Sequence, residues 1–222
     1  GGYLTLWRVA GPFKQDGKDG TALFDVAFAP ETEGRRGSTE WKSTSPDKSD
    51  PKAVKWTLVD GAMQCKPGTG SIVTKKKFKD FKLHIEFRTP FMPTARGQGR
   101  GNSGVYLQGR YEVQVLDSHG LEGMDNECGG IYKVGRPLVN MCAPPMQWQT
   151  YDIEFRAPRV EGGQKKPAVV TVKHNGVCIQ DEKQIPGPTG GALDGNVDQP
   201  GGIYLQDHGN TVQFRNVWLV EL

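Results

Sequence analysis

Phe81-Lys82-Leu83-His84-Ile85-Glu86-Phe87-Arg88 alternates without a break, apolar at the odd positions and polar at the even ones. A strand turns successive side chains to opposite faces, whereas a helix needs an apolar residue every third or fourth position. The stretch therefore predicts a strand with Phe81, Leu83, Ile85 and Phe87 in a core and His84, Glu86 and Arg88 in a row on the other face. Tyr151-Asp152-Ile153-Glu154-Phe155-Arg156 repeats the pattern, and Tyr111-Glu112-Val113-Gln114-Val115 holds it until Leu116. Residues 169–174 and 177–180, joined by Asn175-Gly176, read as a hairpin with a type I′ turn. Further strands are expected at 54–59, 62–65, 71–74, 103–108, 202–206 and 212–219, and no run of ten or more residues has helical spacing. Many short strands between Gly, Pro, Asn and Asp turns predict an all-β chain, a two-sheet antiparallel β-sandwich or jelly roll.

The 28 basic and 25 acidic side chains of the 222 residues leave a net charge of +3, with both signs spread along the chain. That balance argues against a nucleic-acid partner and against a polybasic membrane anchor. No apolar run approaches the ~18 residues of a membrane span, so no membrane insertion is expected. The chain opens with Gly1-Gly2, so an export signal is expected to have been trimmed. Residues 1–53 are expected to form an N-terminal extension packed on a sandwich of residues 54–222. Within that extension 34–50 reads as a polar loop, while Trp7, Phe13, Phe24 and Phe28 supply apolar surface for docking. Residues 186–200 read as a long Gly- and Pro-rich loop, and such loops in compact domains tend to be functional.

Several motifs do not support the chemistry they suggest. Gly99-Arg100-Gly101-Asn102-Ser103-Gly104 fits G-x-G-x-x-G, but Val105-Tyr106-Leu107 continues as a strand where a dinucleotide site needs a helix. His84, His119, His174 and His208 show no zinc spacing, so no metal site and no required cofactor are predicted. Asp117, Glu122, Asp125, Asn126 and Glu127 crowd one loop and could offer oxygen ligands to Ca²⁺, although their spacing matches no calcium loop. Cys128 and Cys142 flank a loop of modest length and are candidates for a bridge, against four packed thiols. No G-x-S-x-G elbow is present.

The polar rows are where chemistry is expected. His84, Glu86 and Arg88 form one row, Glu112 and Gln114 a second, and Asp152, Glu154 and Arg156 a third. Carboxylate, carboxamide, imidazole and guanidinium groups gathered on a sheet suit the paired hydrogen bonds of a polyhydroxylated ligand.

The stretches 80–88, 101–118 and 148–155, followed by His174-Asn175-Gly176-Val177, Leu205-Gln206-Asp207-His208-Gly209 and Phe214-Arg215-Asn216-Val217-Trp218, resemble the 3-keto-disaccharide hydrolase domain family. Cys128-Gly129-Gly130-Ile131-Tyr132 and Asn140-Met141-Cys142-Ala143-Pro144-Pro145 are similar to its planctomycete-type members. The resemblance implies a concanavalin A-like jelly roll, a periplasmic or extracellular location and a small-molecule carbohydrate substrate oxidised at carbon 3. Two other readings stand beside it, a non-catalytic carbohydrate-binding module and a conventional glycoside hydrolase. Related glucanases carry E-x-D-x-x-E, whereas this chain has Glu112-x-Gln114-x-x-Asp117. The amide in the middle argues against double displacement, which needs two carboxyls about 5–5.5 Å apart.

For the substrate the resemblance implies, the expected route is loss of the carbon 2 proton and elimination of the carbon 1 oxygen. His208 or Glu112 is then expected as base, Glu86 as the other proton carrier, and Arg88, Asn102 and Gln114 as donors, with Arg215 a weaker candidate. The alternative for Glu86 and Arg88 is a mutual ion pair along the strand.

Overall fold

A computed structural model describes residues 14–15, 18–24, 40–44 and 54–222. The strands run β1 (Lys14–Gln15), β2 (Lys18–Asp19), β3 (Thr21–Phe24), β4 (Trp41–Ser43), β5 (Thr57–Val59), β6 (Ala62–Gln64), β7 (Ile72–Thr74), β8 (Phe81–Arg88) and β9 (Ser103–Leu107). They continue as β10 (Tyr111–Val115), β11 (Gln149–Arg156), β12 (Arg159–Glu161), β13 (Gln164–Lys166), β14 (Ala168–His174), β15 (Val177–Ile185), β16 (Tyr204–Leu205) and β17 (Gln213–Glu221). Among the described residues the only helical turn is Gly97–Gly99, and no helix is long and apolar enough to cross a membrane.

Two antiparallel sheets make the sandwich. One has the order β10-β9-β16-β7-β4, and the other β15-β14-β11-β8-β17-β6-β5 with β3 also on β17. The deciding stretch is β8, which lies between β11 and β17. Phe81, Leu83, Ile85 and Phe87 are all buried, as their alternation requires. They meet Val105, Leu107, Tyr111, Val113 and Val115 from the smaller sheet in one core. The rings of Tyr111 and Phe155 touch across it with centroids 5.4 Å apart. The Asn175-Gly176 turn has both residues at positive φ, 50° and 82°, which is what a two-residue hairpin needs to match strand twist.

Of the four described strands in the first fifty-three residues, two join the sandwich sheets. Thr21–Phe24 pairs with β17 and Trp41–Ser43 with β7, so these stretches are hydrogen-bonded into the sheets and not merely packed on them. Trp41 is fully buried, its indole donating to the Leu23 carbonyl at 3.1 Å. Trp7, Phe13, Phe28 and most of the loop expected at 34–50 lie outside the described residues. All four cysteines are free thiols. Cys128 lies against the Tyr151 hydroxyl at 3.2 Å, and Ser118 ties it to Cys142.

Candidate active site

The core lies between the sheets, so each sheet has one outer face, and the polar rows divide between them. Glu112 and Gln114 belong to the outer face of the smaller sheet, because Tyr111, Val113 and Val115 fill the core. His84, Glu86 and Arg88 belong to the outer face of the larger sheet.

On the smaller sheet, Glu112 stands opposite Tyr106 and Gln114 opposite Gly104. Gly104 makes room for the acid. A Cβ there would come within 2.4 Å of Glu112 Oε1 and 2.7 Å of the Tyr106 ring. Glu112, Gln114 and Asn102 are all buried, at 3 %, 1 % and 1 % exposure. Asn102 Nδ2 donates to the Gln98 carbonyl at 2.7 Å, and Gln114 Nε2 donates to Gln98 Oε1 at 3.0 Å. The Tyr106 hydroxyl donates to the Gly190 carbonyl at 2.8 Å and accepts from Gln206 Nε2 at 3.2 Å. Burial removes the water that would solvate a carboxylate, and this pushes Glu112 up to about 8, against a smaller downward pull from the Tyr106 phenol. Burial thus favours the protonated acid at neutral pH.

Two loops complete this face. The long loop at 186–200 is tied along the Glu112 strand. Thr189 Oγ1 accepts from the Glu112 amide at 3.0 Å, and Leu193 donates to the Gly109 carbonyl at 2.8 Å. Arg110 anchors the loop further through Asp194 at 2.6 Å and the Gln199 carbonyl at 2.8 Å. At the other rim, Gln206 donates to the Gly104 carbonyl at 3.1 Å, and Asn210 Oδ1 accepts from the Asn102 amide at 2.7 Å. His208 is exposed between those two anchors.

The larger sheet carries a different cluster. A bulge between Arg215 and Trp218 interrupts the β17–β8 register, with Asn216 at φ 48°. Such a bulge brings neighbouring residues to one face. Arg215 Nε and Asn216 Nδ2 both donate to Glu86, each at 2.6 Å. Burial alone would raise Glu86, but contacts with His84, Asn216 and Arg215 outweigh it and hold the acid down at about 2. His84 stacks on Trp218 at 4.7 Å and contacts Asp152 at 2.6 Å. Burial pulls His84 down, yet Asp152 and Glu86 together raise it to about 9. Arg88 donates to Gln213 and, like Arg215, lies on the Trp148 ring, at 4.8 and 4.0 Å.

The seven expected site residues thus fall into two groups. Glu112, Gln114 and Asn102 come together, and His208 is exposed in the loop whose Gln206 and Asn210 are bonded to Gly104 and Asn102. Glu86, Arg88 and Arg215 lie across the core and cannot share one small substrate with Glu112; this corrects the expectation of a single constellation. The cause is parity: both rows are polar faces of strands, but of strands in opposite sheets. Nor do Glu86 and Arg88 pair with each other, since Arg215 and Asn216 take Glu86 while Gln213 takes Arg88. Among the described residues no three His, Cys, Asp or Glu side chains converge to hold a metal ion. In the acidic loop Glu127 is held by Arg100 at 2.9 Å and by the Ser118 hydroxyl.

Sequence reasoning missed Gln98, Tyr106 and Gln206. Tyr106 was within reach of it, since its parity on β9 is opposite to that of the core residues Val105 and Leu107. Gln98 sits in the glycine-rich stretch that carries no periodicity.

The profile of the 3-keto-alpha-glucoside-1,2-lyase-like domain, the 3-keto-disaccharide hydrolase family, matches residues 20–220. The chain belongs to that family. A candidate glycosyl hydrolase of Parabacteroides distasonis is 36 % identical, with a TM-score of 0.76 over 91 % of this chain and 84 % of its own. A second from the same organism is 20 % identical, with a TM-score of 0.60 over 83 % and 89 % of the two chains, and supports the fold. No curated protein matches. Family and relatives together mark a glycosyl-hydrolase-like, carbohydrate-active protein.

Proposed function

We propose that the protein cleaves glycosides bearing a ketone at sugar carbon 3, by elimination followed by addition of water. The observation that carries this reading is Glu112, a carboxyl only 3 % exposed beside Gln114 and the Tyr106 phenol, where burial raises its pKa to about 8. A ketone at carbon 3 acidifies the proton on carbon 2. His208, exposed on the loop bonded to the same sheet, takes that proton, and the electron pair passes into the carbon 3 enolate. The enolate then expels the carbon 1 oxygen, which leaves with the proton of Glu112. Water adds to carbon 1, and a proton returns to carbon 2. Net hydrolysis results without a covalent intermediate, so one acid and one base suffice.

Asn102 and Gln114 have their amides turned onto Gln98, which suits them to orient the acid. Gln206 Oε1 is buried with no partner among the described residues, and is placed to accept from a substrate hydroxyl beside Tyr106. No metal is needed for these steps. The test is to incubate the protein with 3-keto-trehalose and with trehalose, each with and without chelator. The expected result is cleavage of the keto sugar only, indifferent to chelator, with carbon 2 taking up solvent deuterium. Cleavage of plain trehalose would favour a conventional glycosidase, and binding without turnover a carbohydrate-binding module.

A further inference from the structure

The orientation of an amide is read from its hydrogen bonds, and a chain of them leads to Glu112. Gln98 Nε2 donates to the main-chain carbonyl of Asn126 at 2.8 Å, which turns Gln98 Oε1 towards Gln114. That oxygen accepts from Gln114 Nε2 at 3.0 Å and from Asn102 Nδ2 at 3.2 Å. Gln114 Oε1 then faces Glu112 Oε1 at 2.8 Å. Two oxygens so close need a proton between them, and of the two groups only the carboxyl can carry it.

The opposite orientation of Gln114 is the partner of an ionised Glu112. Its Nε2 would donate to Glu112 Oε1 and to the Ser103 carbonyl at 3.2 Å, but its oxygen would then stand 3.0 Å from Gln98 Oε1. The two proton states of Glu112 are thus two orientations of one amide, and Gln98 favours the loaded one.

We infer that Gln98 is a positioning residue for Glu112: anchored on the Asn126 carbonyl, it turns Gln114 so that the proton of the acid completes the chain. The inference rests on the reading of Glu112 as proton donor and assigns what keeps it loaded. The titratable groups facing the acid are phenols, Tyr106 from β9, with Tyr204 from β16 and Tyr132 from beyond β10 close to Tyr106. Asp207 acts on Tyr204 from the next loop. Arg100 and Glu127 lie at the Asn126 end and neutralise each other. When Glu112 gives up its proton, Gln114 turns and stabilises the carboxylate, and the strained contact with Gln98 favours reloading.

The test follows the infrared carbonyl stretch of the protonated Glu112 carboxyl against pH, assigned by its loss in Glu112→Gln. The parent protein should titrate near pH 8. In Gln98→Leu, which cannot accept from Gln114, the midpoint should fall by about one unit or more, a tenfold change in proton affinity. Gln98→Met, of similar length and equally unable to accept, should do the same and serves if the leucine variant fails to fold. A parent midpoint in the ordinary carboxyl range of about 4–5 overturns the inference. So does an unmoved midpoint in either folded variant. Neither readout needs substrate, so failure of the keto-sugar assay and failure of this inference are distinguishable.

Discussion

Each outer face of the sandwich holds a glutamate inside a hydrogen-bonded cluster, and their surroundings shift the two acids in opposite directions. Glu86 is met by Arg215, Asn216 and His84 and stays ionised, with its pKa near 2. Glu112 is met by Gln114 and Tyr106, with no cation among the groups that shift it, and keeps its proton to about 8. Glu112 is the more buried of the two, yet burial raises both acids. The neighbours set the final direction: cations and donors outweigh desolvation at Glu86, and one phenol cannot at Glu112. The ionised acid serves the sheet, and the neutral one is free to give up a proton.

The contrast can be broken first at the base. His208→Ala should lower kcat on a 3-keto-glycoside by roughly 10²–10⁴-fold with the melting temperature unchanged, because the side chain is exposed. A stopped assay beside a melting curve checks both halves. Gly104→Ala comes next. Its new methyl would press on Glu112 Oε1 and the Tyr106 ring, and a displacement of about 1 Å in an acid can cost about 10²-fold in rate.

Stability sharpens the comparison, because the two glutamates should respond with opposite signs. The folded pKa of Glu112 is raised, so between about 4.3 and 8 the native state binds more protons than the unfolded chain, and stability falls as pH rises through that window. Glu112→Gln removes this loss and should stabilise the protein by up to about 4–5 kcal/mol at pH 8, with the gain shrinking towards pH 4.5. Glu86 is the reverse. Its folded pKa is lowered, so its contribution is present above about 4.3 and is lost as pH falls towards about 2. Glu86→Gln should destabilise by about 1–2 kcal/mol at pH 7, tempered by the partial exposure of Arg215 at 32 %. Urea unfolding of both variants at stepped pH reads both signs.

Much of the fold was legible because period-2 alternation leaves little choice. The 81–88 strand has the limits its pattern predicts, and 111–115 likewise. Pairing was not legible, since alternation fixes which residues share a face of a strand and not which sheet that strand joins. Hence Glu86 and Glu112 could be read as one site, while the structure sets a full core between them. The short strands at Thr21–Phe24 and Trp41–Ser43 carry too few residues to show a period. Gln98 was invisible for a related reason. Its role comes from a turn that brings it beside Asn102 and Gln114, and a turn has no repeat to read. The loop at 186–200 was legible by length and composition, and it proves to be tied along the Glu112 strand.

The proposed mechanism puts the chemistry on the outer face of the smaller sheet and not on that of the larger. The most direct measurement is kcat on 3-keto-trehalose for Glu112→Gln and Glu86→Gln, made in parallel on folded protein. Loss of the proton donor should cost Glu112→Gln roughly 10²–10⁴-fold, while Glu86→Gln should stay within a few-fold of the parent. Full activity in Glu112→Gln together with collapse in Glu86→Gln would contradict the account and move the site to the other side of the sandwich.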